Sequence, residues 1–192
     1  MIPSFTLSTR TFQGVAWENV IAAELARLGS RHALIVTDAG VQAAGLLDRV
    51  ATAVANSCER VSTYSQVFQD PTARVMDELG HRCVSDEVDV LVALGGGACL
   101  DAAKAAALVA RHRGSILDLI GEDKVAKAPL PVIAIPTTAG TGSEVSWHIS
   151  VNDDRNDRPA RCARRPAALC DARANRSCRQ RSRPCQPRRR YA

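Results

Sequence analysis

Two glycine-containing stretches carry residue types that could hold a phosphate-bearing ligand. Residues 94–104 read LGGGACLDAAK, and residues 135–146 read IPTTAGTGSEVS. Three successive glycines let the backbone turn tightly and let a large group come close, because no Cβ stands in the way. A helix that starts just after them would direct free amide groups and the positive end of its dipole at that group. A glycine turn by itself is equally typical of a plain strand-to-helix connection.

The second stretch offers Thr and Ser hydroxyls together with backbone amides. Such loops bind phosphate and ribose oxygens, although hydroxyls and glycines occur in any exposed loop. Asp38, which ends the segment VTD, could accept hydrogen bonds from a ribose diol and repel a 2′-phosphate. Capping of the following helix is the alternative for this residue. The combination of two such loops is more informative than either one.

Asp101 and Lys104 follow the glycine turn and lie three residues apart, on one face of the predicted helix. Their spacing alone favours an exposed ion pair that contributes little to stability. In the alternative, Asp101 lies near the ligand.

The segments that must position these residues alternate between strand-like and helix-like patterns. Short apolar runs predict strands at residues 33–37, 61–67, 88–94 and 131–135, and helical spacing predicts helices at residues 17–28, 41–55, 71–83 and 100–111. Strands separated by such helices imply right-handed βαβ units. We therefore predict an α/β fold with a doubly wound, Rossmann-like parallel sheet, whose ligand lies beyond the carboxyl ends of the strands.

Four motifs, taken in order, resemble the cofactor-binding half of the iron-containing alcohol dehydrogenase family. They are TDAGV (37–41), FQDPT (68–72), GGGACLDAAK (95–104) and IPTTAGTGSEVS (135–146). The resemblance covers about residues 1–152 and implies a dinucleotide-binding domain over that range.

The resemblance also implies which residues bind the cofactor NAD. The matching positions are Asp38, Asp70, Gly96, Gly97, Ala98, Asp101, Thr137, Thr138, Thr141 and Ser146. Asp38 would face the adenine ribose and favour NAD over NADP, and Asp70 stands where the family often has Asn. The glycine turn would hold the pyrophosphate, although Ala98 replaces the Ser that is usual in the family.

The resemblance implies that the chemistry lies elsewhere. In the family, an all-helical carboxyl-terminal domain supplies one Asp and three His to a divalent metal, usually Fe(2+), which polarises the alcohol oxygen while a hydride passes to NAD. The histidines of this chain are His32, His81, His112 and His148, and none matches a metal-ligand position. We therefore expect no catalytic residue and no metal ligand in this chain. The expected partners are NAD(H) and, in full-length relatives, a small alcohol or aldehyde; the family forms homo-oligomers.

The charge changes sign near residue 146. The first 146 residues contain 12 Lys and Arg against 16 Asp and Glu, whereas the last 46 contain 13 Arg against 4 Asp. Residues 153–192 lack apolar periodicity, so we expect an Arg-rich, disordered tail. Its cysteines show no CxxC pair, which argues against zinc.

Two interpretations of this tail differ in what they imply. Arg without Lys, beside Pro, Ala and Cys, is typical of GC-rich DNA read in a shifted frame, and ALCDAR (168–173) still resembles a family segment. On this interpretation the chain is a truncated, inactive cofactor-binding half. The alternative is a non-catalytic nucleotide-binding protein whose basic arm binds nucleic acid. A dehydroquinate-synthase-like enzyme of related fold would also need metal ligands that are missing.

The apolar runs and the cysteine content indicate in which cellular compartment the protein occurs. The chain has no apolar run near the roughly 20 residues that cross a bilayer, and residues 1–13 lack the pattern of a signal peptide. Seven cysteines, an odd number, argue against a disulfide framework. We expect a cytoplasmic protein without a membrane partner.

Overall fold

The computed structural model describes residues 9–14, 16–121, 124–146, 148–154, 158–162 and 169–172. The strands are β1 Arg10–Phe12, β2 His32–Val36, β3 Arg60–Tyr64, β4 Val90–Gly95, β5 Val132–Pro136, β6 Ile149–Asp153, β7 Arg158–Cys162 and β8 Leu169–Ala172. The helices are α1 Trp17–Leu28, α2 Ala39–Ala43, α3 Leu46–Ala55, α4 Ala73–Ser85 and α5 Gly97–His112, and a 3-10 helix spans Ile116–Leu119.

Six of the strands form one parallel sheet in the order β1-β8-β5-β4-β2-β3. The strands β6 and β7 form a separate antiparallel pair. The three central strands β2, β4 and β5 are buried over nearly their whole length. This is why they are continuous apolar runs in the sequence rather than alternating ones.

Helices cover both faces of the sheet. Successive side chains of a strand point to opposite faces, so the apolar side chains of the central strands need a helix layer on each side. Leu34 and Leu91 belong to the core under α5, whereas Ile35 and Val92 belong to the core under α1 and α3. The predicted α/β, doubly wound, Rossmann-like fold is confirmed.

The helix α5 is the most deeply buried helix of the described residues, and every residue from Cys99 to Ala110 is buried. Its many alanines let neighbouring helices come close. A Cβ at Gly80 of α4 would lie 2.4 Å from Cβ and Cγ1 of Val109, so this position has no room for a larger residue. On another side of α5, Ile149 and Val151 of β6 pack into a third core.

Two of the differences from the predicted element boundaries involve glycines. The helix predicted at residues 41–55 is divided into α2 and α3 by Gly45, whose φ of 70° lies in the left-handed region. The helix predicted from residue 100 already begins at Gly97. The glycine turn is therefore shorter than its composition suggested, and its last glycine belongs to the helix.

Two strands, β7 and β8, lie beyond residue 152, within the range for which we predicted a disordered tail. β7 pairs with β6, and β8 lies inside the main sheet between β5 and β1. Backbone pairing overrides the weak apolar pattern of these residues, because a strand between two others satisfies its amides and carbonyls on both sides. The rest of the predicted tail lies outside the described residues.

Candidate functional site

The turn after β4 lies where the chain changes direction in the sheet. β2 and β4 are neighbours, but the chain continues from β2 to β3 on one side and from β4 to β5 on the other. Such a switch point opens a crevice beyond the carboxyl ends of the two strands. Asp38 follows β2 and Gly96 follows β4, so these residues flank the crevice.

The first and third glycines of the turn are packed too closely for side chains. Gly95 has φ of 149°, and a Cβ there would lie 2.6 Å from the Sγ of Cys99. A Cβ at Gly97 would lie 2.8 Å from Cγ2 of Thr141. Gly96 is the N-cap of α5 and provides no side-chain hydrogen bond to the first turn. The amides at the start of α5 therefore remain available to an acceptor from outside the helix.

A cleft of about 320 Å³ lies in front of this helix terminus. Its walls come from the loop before α4, the first turns of α5, the loop after β5, and β6. The lining residues are Gln69, Asp70, Pro71, Gly97, Ala98, Asp101, Thr141, Ser143, Ser150 and Asn152. Five of the residues predicted to bind a cofactor thus line one cleft, namely Asp70, Gly97, Ala98, Asp101 and Thr141.

The loop before α4 is held against β6. Asp70 has a positive φ of 56°, its side chain is exposed, and its carbonyl oxygen accepts a hydrogen bond of 3.2 Å from Nδ2 of Asn152. An Asp in the left-handed region is uncommon but tolerated, since its short polar side chain fits there. In this conformation Asp70 lines the cleft.

Asp38 is the N-cap of α2. Helix capping is the role that the sequence analysis gave as the alternative to ligand binding. Its Oδ1 accepts a hydrogen bond of 2.9 Å from the amide of Val41, and its Oδ2 lies 3.2 Å from Sγ of Cys99. Asp38 does not line the cleft itself. It remains partly exposed at the neighbouring strand end, so capping and ligand contact are compatible.

Asp101 and Lys104 form a buried ion pair, so the exposed pair favoured by their spacing is wrong. Lys104 Nζ lies 2.8 Å from Asp101 Oδ1, and Asp101 Oδ2 accepts a hydrogen bond of 3.0 Å from the amide of Ser150. Spacing could not reveal the burial, which is caused by the loop and β6 that pack over this face of α5.

Lys104 also fixes the loop after β5. Its Nζ donates to the carbonyl oxygens of Ser143 (3.1 Å), Ser146 (3.4 Å) and His148 (2.7 Å). Within the same loop, Oγ of Ser146 accepts from the amide of His148 at 3.0 Å. The predicted residue Ser146 therefore stabilises the loop from within and is not among the residues that line the cleft.

The threonines of this loop lie next to the glycine turn. The amide of Thr137 donates to the carbonyl oxygen of Gly95 at 2.9 Å. Oγ1 of Thr138 is the nearest atom to a Cβ built on Gly96, at 3.4 Å. Thr137, Thr138 and Thr141 are all exposed. The hydroxyls of Thr138 and Thr141, which lie next to Gly96 and Gly97, can thus reach a group that lies on the turn.

The sequence analysis missed five lining residues: Gln69, Pro71, Ser143, Ser150 and Asn152. Ser143 stands inside the loop motif and could have been included. Ser150 and Asn152 belong to β6, which no apolar run predicted, so their approach to the cleft depends on the tertiary structure.

The sequence matches the family model of iron-containing alcohol dehydrogenases over residues 8–172. The chain belongs to the iron-containing alcohol dehydrogenase family. The matched range of this dehydrogenase family extends beyond residue 152 and includes the strands β7 and β8.

Three related proteins indicate how much of a family member is present. Choline dehydrogenase of Bacillus subtilis is 35% identical over 158 residues, which are 79% of this chain and 39% of that protein. NAD-dependent methanol dehydrogenase of Bacillus methanolicus is 38% identical over 133 residues, 69% of this chain and 35% of that protein. Sulfoacetaldehyde reductase of Bifidobacterium kashiwanohense, solved in complex with NAD+, superposes with a TM-score of 0.77 at 25% identity, covering 89% of this chain and 46% of that structure. The chain spans less than half the length of these dehydrogenase-family relatives.

Metal-binding clusters and membrane-spanning helices are both absent from the described residues. Within them, no three His, Cys, Asp or Glu side chains lie close enough together to hold a metal ion. Nor does any helix in that part of the chain have the length and apolar composition that crossing a bilayer requires.

Proposed function

We propose that residues 8–172 form the NAD(H)-binding domain of an iron-containing alcohol dehydrogenase. The observation that carries this proposal is the side-chain-free turn at the N-terminus of α5, enclosed by Thr138 and Thr141 and open to the cleft. A Cβ on Gly95 or Gly97 would clash with Cys99 or Thr141, so both positions require glycine. No side chain of Gly96 or Gly97 then covers the free amides at the start of α5. The free amides and the positive dipole end of α5 favour an anion, such as a pyrophosphate, as the ligand at this position.

The ligand contacts follow from where the residues lie. The amides of Gly96, Gly97 and Ala98 would bind the pyrophosphate, and the hydroxyls of Thr138 and Thr141 would bind phosphate or ribose oxygens. Asp38, at the end of β2, would accept from the adenine ribose diol, because a carboxylate there favours NAD over NADP.

The other predicted residues would act at the edge of this site. Asp70 would approach the nucleotide from the loop before α4. Asp101 lines the cleft but is paired with Lys104, so we propose that it supports the loop that carries Thr141 and Ser146. Thr137 would act through its backbone bond to Gly95.

We propose hydride transfer only for a polypeptide in which this domain is joined to the metal-binding residues of the family. Bound NAD supplies the carbon that accepts or donates a hydride during alcohol oxidation or aldehyde reduction. The described residues do not form an iron site, so no step is assigned to a metal here. For the 192-residue chain alone we propose cofactor binding without turnover.

Fluorescence titration of the purified chain with NADH tests this proposal. We expect saturable NADH binding, weaker binding of NADPH, and no alcohol-dependent reduction of NAD with or without added Fe(2+). Lack of NADH binding by a folded chain would contradict the cofactor site, and metal-dependent turnover would contradict the proposed inactivity.

Deleting residues 173–192 distinguishes the NAD(H)-binding domain from the alternative function, in which a basic arm binds nucleic acid. NADH binding that survives this deletion supports the dehydrogenase domain. Salt-sensitive binding of duplex DNA that disappears with the same deletion would support the basic arm instead.

A further inference from the structure

The carboxylate of Asp38 is held by two donors from different elements. The amide of Val41, in α2, donates to Oδ1 at 2.9 Å, and the thiol of Cys99, in α5, contacts Oδ2 at 3.2 Å. The two contacts fix both the position and the rotation of the carboxylate plane. A single cap bond would have left that rotation free.

The thiol of Cys99 reaches Asp38 because Gly95 lies between them without a side chain. A Cβ on Gly95 would lie 2.6 Å from Cys99 Sγ and 3.3 Å from Asp38 Oδ2. The side chain of Cys99 itself is 1% exposed. The end of β2, the end of β4 and the first turn of α5 thus meet at one point.

The thiol is the donor in this contact. Burial raises the pKa of Cys99 far above its ordinary value, and the hydrogen bond and negative charge of Asp38 raise it further. The S–H group therefore stays protonated at neutral pH and donates to the carboxylate of Asp38.

The acceptor capacity that remains matches a ribose diol. An ionised carboxylate has about four lone-pair sites, two on each oxygen. The two protein donors use one site on each oxygen, so one site on each remains for a hydroxyl. A 2′-phosphate offers no such donor and would meet a carboxylate that cannot turn away.

Resting on the proposed NAD(H) site, we infer that Cys99 is a positioning residue that sets the preference for NADH over NADPH by fixing the carboxylate of Asp38. It makes no contact with the cofactor in this role. Its effect is transmitted through the orientation of Asp38.

The test compares NADH and NADPH dissociation constants for the wild-type chain and for Cys99→Ala, Cys99→Ser and Cys83→Ala. Cys83 is the matched control, because its thiol is equally buried and belongs to the same core cluster. We expect Cys99→Ala to lower the ratio of the NADPH to the NADH dissociation constant by about three- to tenfold, since a hydrogen bond to a charged group is lost. Cys99→Ser retains a donor and should restore most of the ratio, and Cys83→Ala should leave it unchanged.

A double variant separates positioning from packing. In an Asp38→Asn background the ratio should already be low, and adding Cys99→Ala should not lower it again, because the two residues act through one contact. Equal loss of affinity for both cofactors in Cys99→Ala would overturn the inference. A wild-type chain that binds NADH but whose Cys99→Ala variant keeps the full ratio would overturn it as well, without affecting the proposed function.

A spectroscopic measurement tests the contact even if no cofactor binds. The S–H stretching band of Cys99 is assigned in the infrared by subtracting the spectrum of Cys99→Ala. Donation to a carboxylate should place it at lower frequency than the band of Cys83, and Asp38→Ala should remove that difference. A band that does not respond to Asp38→Ala contradicts the inference, whatever the titrations give.

Discussion

Lys104 Nζ lies 2.8 Å from Asp101 Oδ1, and both side chains are almost fully buried between α5, β6 and the loop after β5. The same ammonium group binds three backbone carbonyl oxygens of the segment that includes Ser143 and His148. One charged side chain therefore joins the central helix to a wall of the cleft.

Replacing Lys104 with Met should destabilise the fold strongly. Asp101 would remain as a buried charge without its cation, which costs about 3–5 kcal/mol. The free energy of unfolding from urea titrations measures the loss. The exposed pair of Arg74 and Glu78 is the control, and Arg74→Ala should cost less than about 1 kcal/mol. A loss below that value for Lys104→Met would show that the pair is not important, and Asp101→Asn in the same chain should recover part of the stability.

Adding one methyl group at Gly97 should be costly, whereas adding it at Gly96 should not. The new Cβ would lie 2.8 Å from Cγ2 of Thr141 in the first case and 3.4 Å from the nearest atom in the second. Overpacking of this kind costs about 1–3 kcal/mol. Thermal and urea unfolding compare Gly97→Ala with Gly96→Ala, and Thr141→Ser should relieve the former by removing Cγ2. Equal stabilities of the two alanine variants would contradict the close packing.

Alkaline pH should destabilise the protein partly through Cys83. Burial raises the pKa of this thiol to about 12, from an ordinary value of 9.0. Since the folded state holds the proton more tightly, the stabilisation is fully present below about pH 9 and is lost as the pH rises towards 12, with a slope of at most about 1.4 kcal/mol per pH unit. Urea titrations at several alkaline pH values should give a shallower slope for Cys83→Ala. An unchanged slope would show that the thiol titrates normally in the fold.

Removing β8 should weaken the sheet more than removing the residues that follow it. A chain that ends at residue 172 retains the strand that pairs with both β1 and β5, and a chain that ends at residue 168 does not. We expect the shorter chain to be less stable and to lose amide-exchange protection in Arg10–Phe12. Identical protection in the two chains would place the domain boundary before β8.

The sequence predicted the central elements well because burial is expressed in composition. The helix Trp17–Leu28 has its predicted bounds, and the strand Val90–Gly95 overlaps the apolar run from which it was predicted. The edge strand Arg10–Phe12 and the strand Ile149–Asp153 were not predicted. The first has only three residues, and both contain too few apolar residues to produce a pattern.

The sequence by itself determined the fold class and the two loops that form the candidate site, since glycines, hydroxyl residues and apolar runs report local requirements of the backbone. Only the tertiary structure decided which polar residues are buried, since buried and exposed ones can have the same local sequence pattern. Asp101 and Lys104 have the spacing of an exposed pair, yet the loop and β6 cover them. Asp38 and Cys99 lie 61 residues apart and meet because their strand ends are neighbours. Such contacts depend on which strands are adjacent in the sheet, and local sequence patterns do not specify that order.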